Sequence, residues 1–463
     1  MAAKRLGIIV GGGPAPGINA VIGAATIQAI NCGFEVIGFF DGFRCLCADE
    51  FDPPTHTVRL EIARVARIHF DGGSILRTAR TNLLDEETLK KTKRAQAHPG
   101  KVSLALGRLR ELGIDCLLTI GGDDTALSAR FLCEASGGKL CIVHVPKTID
   151  NDLPLPQNQP TFGFSTARMI GSMLLKNLMT DSQTTGRWYI VSAMGRSAGW
   201  LAMSIGQAAG ATLTLIPEEF EEHSTIQRIA DVLEGAILKR RIMGRCDGVA
   251  VLAEGLAYRL GDREELERLL GREVPLDAAG HVRLAEVPVL ELLKKELQAR
   301  FKARGEHLPL VTHNIGYELR SADPAPHDMA YCRALGYHSI RLFTDKARQG
   351  VGVMVALVNG NLETVDFNDI IDPVTNRTTV RLVDTNSDEY TVGRAYQIRL
   401  ELSDLENPVM LAKLAAAAHM SPADFKQRYV RAATRLCDLP TSPQPTPTQP
   451  APPPSTPAQP MPV

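Results

Sequence analysis

Seven consecutive residues, Pro146-Lys147-Thr148-Ile149-Asp150-Asn151-Asp152, hold two carboxylates, a hydroxyl, an amide and an ammonium. Such a set cannot form a core. It follows an apolar run, residues 140–145, that reads as a buried strand, so it stands where a parallel strand ends. Open α/β sheets bind ligands at the carboxyl ends of their strands. Alone, Pro146 and the Asx residues would also suit a polar turn. A site is favoured because other stretches supply matching parts for binding phosphate.

The first is Gly11-Gly12-Gly13-Pro14-Ala15-Pro16-Gly17-Ile18-Asn19, between a short apolar strand (6–10) and a helical pattern (20–30). Strand, glycine loop and helix bring bare backbone N–H groups and a helix N-terminus to an anion. The loop lacks the Gly-Lys-Ser/Thr of a P-loop, and a tight turn is its plain alternative. The segment 71–82 pairs Gly72 and Gly73 with Arg77 and Arg80, whose forks match phosphate oxygens. Gly121-Gly122-Asp123-Asp124-Thr125 opens a helix running to about residue 135. There the carboxylates serve as N-terminal charges or hold Mg²⁺, which takes few protein oxygens beside substrate phosphates.

The elements that must position these loops form a βαβ series. Strands are expected at 34–40, 116–120, 188–192, 212–216, 248–252, 308–312, 351–358 and 362–365. Helices are expected through Val102–Leu112, at 165–180, 327–346 and 410–418. Several strands end in small or charged residues, as at Met194-Gly195-Arg196 and Glu254-Gly255, and that recurrence marks a rim. Residues 256–308 read as a helical insertion that packs on a second domain and carries no site. From residue 439 the chain is Pro, Thr, Ser and Gln, a disordered tail. The 463 residues, 44% hydrophobic, suffice for at least two domains. Lys+Arg 51 against Asp+Glu 52 gives no basic bulk for nucleic acid. No signal peptide or membrane-length apolar run is evident, and nine scattered cysteines lack metal spacing, so a cytoplasmic setting with reduced thiols is expected.

Taken in order, Gly-Gly-Pro-Ala-Pro-Gly (12–17), Gly-Gly-Ser-Ile-Leu-Arg-Thr-Ala-Arg (72–80), Gly-Gly-Asp-Asp-Thr, Pro-Lys-Thr-Ile-Asp-Asn-Asp, Met-Gly-Arg (194–196), Ala-Glu-Gly (253–255) and Gly-Tyr-x-x-Arg (316–320) resemble the phosphofructokinase family over residues 5–375. The resemblance implies two doubly wound α/β domains with mainly parallel sheets. Residues 1–160 with 314–375 would bind donor and Mg²⁺, and 161–313 with 376–438 the sugar phosphate. It implies phosphoryl transfer to the 1-hydroxyl of fructose 6-phosphate. Asp150 would be the base, steered by Asp152, with Thr148 and Arg196 at the reacting centre. Asp123 would hold Mg²⁺, while Gly13 and Arg80 meet the donor phosphates. Ile149, Met194, Gly195, Glu254 and Tyr317 would contact the sugar. Arg320 and Arg187 would bind the 6-phosphate, one such arginine coming from a neighbouring subunit. A homodimer or homotetramer follows, with no nucleic-acid or membrane partner.

The donor turns on two positions. Classical ATP-using relatives carry glycine where this chain has Asp124 and Lys147, but some carry lysine at the second position, so Asp124 decides. An aspartate there repels an α-phosphate and nucleoside, and a lysine holds a terminal phosphate as a point charge. The pair is that of pyrophosphate users. Pro14 replaces a common aspartate, Arg77 a common glycine and Tyr317 a histidine of ATP-using bacterial members. Val311-Thr312-His313 occupies the region of a further phosphate-binding arginine, so sedoheptulose 7-phosphate is an alternative acceptor. The competing readings are an ATP-dependent enzyme and a non-catalytic phosphate-binding regulator. A nicotinamide-dependent dehydrogenase fails for want of Gly-x-Gly-x-x-Gly after the first strand.

Overall fold

The computed structural model describes residues 3–260, 263–271, 273, 287–345, 352–435 and 438. Its strands are β1 (Arg5–Val10), β2 (Glu35–Phe39), β3 (Thr57–Leu60), β4 (Cys116–Gly121), β5 (Cys141–Thr148), β6 (Phe162–Gly163), β7 (Trp188–Ala193), β8 (Leu213–Leu215), β9 (Gly248–Ala253), β10 (Leu310–Ile315), β11 (Val353–Val358) and β12 (Asn361–Asp366). The first sheet has the order β12-β11-β5-β4-β1-β2-β3, with β6 paired to the end of β5. Its inner strands are parallel, and β3 and β12 close the two edges antiparallel. The second sheet, β10-β7-β9-β8, is wholly parallel.

Both sheets are covered on two faces, which is why their strands read as continuous apolar runs. Leu6, Ile8 and Val10 of β1 point into one cluster and Ile9 into another. The first of these clusters also takes Tyr189, Val191 and Ala193 of β7, so one core is shared by the two sheets. Helices α1 (Ile18–Asn31), α2 (Asp123–Ser136), α3 (Phe164–Thr185), α4 (Trp200–Ala209), α5 (Ile226–Ile242), α6 (Val289–Ala303) and α7 (Pro326–Thr344) supply the layers. Gly17 precedes α1 at φ 105°, and a Cβ there would meet Cys332 Sγ at 2.4 Å, so both conformation and packing demand glycine.

Several boundaries differ from expectation. The strand expected at 140–145 continues through Pro146, Lys147 and Thr148, because β6 pairs there, Lys147 with Phe162 and Thr148 with Gly163. Helix α3 runs on to Thr185. Short β3 and β6 carry too little apolar periodicity to be read beforehand, whereas the helix Pro422–Ala433, with Phe425, Tyr429, Ala432 and Ala433 buried at helical spacing, is an element the sequence reading omits. Helix α6 buries Leu293, Leu297 and Phe301 under the second sheet. The expected tail, 439–463, lies outside the described residues.

Candidate active site

In the first sheet the chain leaves β1 toward β2 and leaves β4 toward β5, on opposite sides. The loops after β1 and β4 therefore diverge and open a crevice at the switch point. The glycine loop after β1 forms one wall. Thr78 Oγ1 donates to Gly12 O at 2.7 Å, Gly12 N–H donates to Ala79 O at 2.9 Å, and Asn19 holds Asp71, Gly72 and Ile75. The segment 71–80 is thereby docked on the glycine loop. Arg80 is exposed there. Arg77 turns away: it pairs with Asp41 at 3.1 Å and lies over the Phe40 ring.

Lys147 is buried, and its ammonium donates to Gly13 O at 2.5 Å. Burial lowers its pKa to about 8, with Asp150 opposing and Arg320 reinforcing the shift. A Cβ on Gly13 would stand 2.7 Å from Arg320 Nη2, so a side chain there would push this guanidinium off the loop. Arg320 also lies over the Tyr317 ring, at the junction of the donor loop and the second sheet. Across the crevice Asp123 and Asp124 begin α2. Burial and Asp123 raise the Asp124 pKa, while Arg377, Arg196 and Arg80 oppose the shift.

The end of β5 brings Asp150 and Asp152 to the centre. Burial raises the Asp150 pKa to about 7, and Asp152 and Glu254 add to the shift. Lys147 and the Arg196 backbone N–H act in the other direction. Asp152 is raised by burial and by Asp123, while the Thr148 hydroxyl stabilises its charge. Thr148 Oγ1 also accepts from Asp150 N–H at 3.0 Å. Arg196 is raised above the usual arginine value: burial opposes that shift, and Asp123, Tyr258, Asp124 and Asp150 outweigh it. Asp123, Asp124, Asp150, Asp152 and Glu254 thus stand near Lys147, Arg196, Arg320, Arg80 and Arg377, and binding anions with a divalent cation would relieve both sets of like charges. Among the described residues no group of three or more His, Cys, Asp or Glu makes a ready cage. A hard cation such as Mg²⁺ would instead be held by one or two of these carboxylates together with phosphates and water.

The second sheet presents Met194, Glu254 and Tyr317 at its carboxyl ends, lining a cleft of about 520 Å³. Gly195 has φ 136° and accepts from Gly255 N–H at 3.0 Å, which joins the β7 and β9 loops. Val287 to Glu291 line the same cleft, although this stretch was expected to carry no site. Ile149 is buried between Thr148 and Asp150 in the turn. Arg187 is not brought to the cleft. It precedes β7, pairs with Asp181 at 4.0 Å, and stands a strand's length from Met194, roughly 20 Å.

One residue that holds the 146–152 turn escaped the sequence reading. Arg381 donates from Nε and Nη2 to Asn151 O at 3.1 and 2.7 Å, and from Nη1 to Gln159 O at 3.2 Å. Its backbone N–H donates to Asp152 O, and Trp200 stacks on the guanidinium while its indole donates to Arg381 O. Asn151 itself has φ 57°, a strained conformation that this clamp holds. No local pattern could have flagged an arginine 230 residues away.

The profile of the family described as Phosphofructokinase matches residues 5–343. A pyrophosphate–fructose 6-phosphate 1-phosphotransferase of Thermotoga maritima is 52% identical over 92% of this chain and 98% of its own length. One from Naegleria fowleri is 42% identical over 92% and 94%. An ATP-dependent 6-phosphofructokinase of Streptomyces coelicolor is 31% identical over 80% and 95%. The solved pyrophosphate-dependent phosphofructokinase of Marinobacter aquaeolei shares the fold at TM-score 0.59 and 16% identity, over 90% of this chain and 91% of its own.

Proposed function

The chain belongs to the phosphofructokinase family, and from that premise we propose how its residues share one reaction. The reaction is reversible transfer of a phosphoryl group from pyrophosphate to the 1-hydroxyl of fructose 6-phosphate, the activity for which its relatives from Thermotoga maritima and Naegleria fowleri are named. The observation that carries the donor assignment is the pair Asp124 and Lys147. The Lys147 ammonium lies within the glycine loop, on Gly13 O, where a terminal phosphate meets a point charge. Asp124 stands at the opposite wall as a carboxylate that a longer polyphosphate would have to approach.

Phosphoryl transfer asks chiefly for positioning and charge neutralisation. Asp150, with a pKa of about 7, takes the proton of the sugar hydroxyl as the new P–O bond forms and the bridging P–O bond of pyrophosphate breaks. Orthophosphate leaves. Asp152 keeps the Asp150 carboxylate basic, Thr148 orients the turn, and Arg196 faces the transferred group. The amides at Gly13, with Arg80 and Lys147, hold the donor. Asp123 would hold Mg²⁺, whose chemistry is to offset negative charge on the pyrophosphate oxygens. Ile149, Met194, Gly195, Glu254 and Tyr317 hold the sugar and Arg320 its 6-phosphate. Residues 1–160 with 314–375 form the donor domain, and 161–313 with 376–438 the sugar domain. The distance of Arg187 from the cleft supports a role in a second copy's site, hence a homo-oligomer. Mixing Arg187→Ala with Asp150→Asn subunits would then restore activity that neither has alone; no recovery would remove Arg187 from the site.

Among the described residues no helix is long and apolar enough to cross a membrane, and the free cysteines suit a cytoplasmic enzyme. The assay offers fructose 6-phosphate and Mg²⁺ with pyrophosphate or ATP separately. Fructose 1,6-bisphosphate and orthophosphate from pyrophosphate support the assignment; turnover with ATP alone refutes the reading of Asp124 and Lys147.

A further inference from the structure

Away from the crevice, a small cavity of about 20 Å³ lies beside the edge strand β8 and the start of α5. Arg228, Arg394, Arg399 and Arg435 line it, against one carboxylate, Glu219. Arg399 forks onto Glu219 at 2.7 and 3.2 Å, and Tyr390 OH donates to the same carboxylate at 2.6 Å. Arg394 is bound to Glu401 at 3.0 and 3.2 Å. Arg228 has no ion-pair partner among the described residues, and its Nη1 is buried without an acceptor. So are Nε of Arg394 and Nε of Arg399, whose residues are only 6% and 4% exposed. Burial, with the nearby Arg431 and Arg399, holds Arg228 below the usual arginine value, and the carboxylates of Glu221 and Asp231 only partly oppose the shift.

Buried N–H donors on guanidinium groups are costly to leave unmade, and cations in excess of carboxylates call for a counter-ion. We propose that this cavity is a second anion site of the chain, which takes one compact oxyanion of the inorganic phosphate type. Planar guanidinium forks match such oxygens bidentately. At about 20 Å³ the cavity excludes a nucleotide or sugar phosphate. None of the residues assigned to donor or sugar lines it. The site also connects to the catalytic turn. Glu218, next to Glu219, accepts from Gly199 N–H and Val383 N–H, both at 2.9 Å, and Val383 lies two residues from the Arg381 clamp.

Equilibrium dialysis of the full chain with radiolabelled inorganic phosphate, at constant ionic strength set with potassium gluconate as an inert salt whose anion is too large for the cavity, tests this. The wild type should bind one phosphate per chain more than Arg228→Gln, and one more than Arg435→Gln. Both variants should keep their turnover at low phosphate, which shows that they are folded. Equal stoichiometry in wild type and both variants overturns the site. Loss of the extra phosphate when chloride replaces the inert salt marks a site for any small anion, and overturns the oxyanion assignment.

Discussion

Replacing Asp150 by Asn should make the protein more stable as well as nearly inactive. In the folded chain the Asp150 carboxyl is raised from 3.8 to about 7 by burial and by Asp152 and Glu254. At roughly 1.36 kcal/mol per pKa unit, holding the charged form costs on the order of 4 kcal/mol. Because the folded value is raised, the cost is absent below the unfolded value. It grows as pH rises between the two and is constant above the folded value. The same relation leaves about 4 kcal/mol at pH 8 and about 2 kcal/mol at pH 5. Thermal melts of wild type and Asp150→Asn, with EDTA and no phosphate, should therefore show the variant melting several degrees higher at pH 8, with the gain at least halved at pH 5. Its pyrophosphate-dependent rate should fall by about 10²- to 10⁴-fold. Equal melting at pH 8 refutes the electrostatic reasoning. A stabilised variant that keeps its rate refutes the base.

Three further outcomes follow from the same geometry. The pyrophosphate-dependent kcat/KM should lose activity as pH falls through about 7, where Asp150 takes up its proton; in Asp152→Asn that limb should move to lower pH, since one like charge is gone, and an unmoved limb would assign it to another group. Arg381→Lys keeps the charge but not the fork, so kcat should drop about 10- to 100-fold with KM changed much less, and hydrogen exchange at residues 150–152 should accelerate; unchanged exchange would deny Arg381 its positioning role. The double change Asp124→Gly with Lys147→Gly should cut pyrophosphate turnover by at least about 100-fold and admit ATP, and a variant that still prefers pyrophosphate would show that the donor is chosen elsewhere.

The glycine loop, the helix-opening Asp123 and Asp124 and the 146–152 turn were legible in the sequence because each is a local arrangement of loop and neighbouring element. The extension of β5 through Lys147 was not, since it depends on a two-residue partner with no pattern of its own. Arg77 and Arg80 looked alike in the chain, and only tertiary contact with Asp41 separates them. Arg381 sits among Val380, Leu382 and Val383 and resembles any strand or loop arginine until the backbone it clamps is known. Arg187 has the residue type a phosphate needs, but strand polarity puts it at the far end of β7.

The Arg381 clamp also joins two parts of the chain that are made at different times. Asn151 and its latch are separated by 230 residues, and β11, which flanks β5, is made after the whole second sheet. At roughly 5–20 residues per second of synthesis, the catalytic turn waits on the order of 10–50 s for the arginine that fixes it. During that interval a nascent chain carries its donor loop without a held Asp150. A product truncated before residue 381 would therefore carry the glycine loop and the 146–152 turn without the arginine that clamps Asn151.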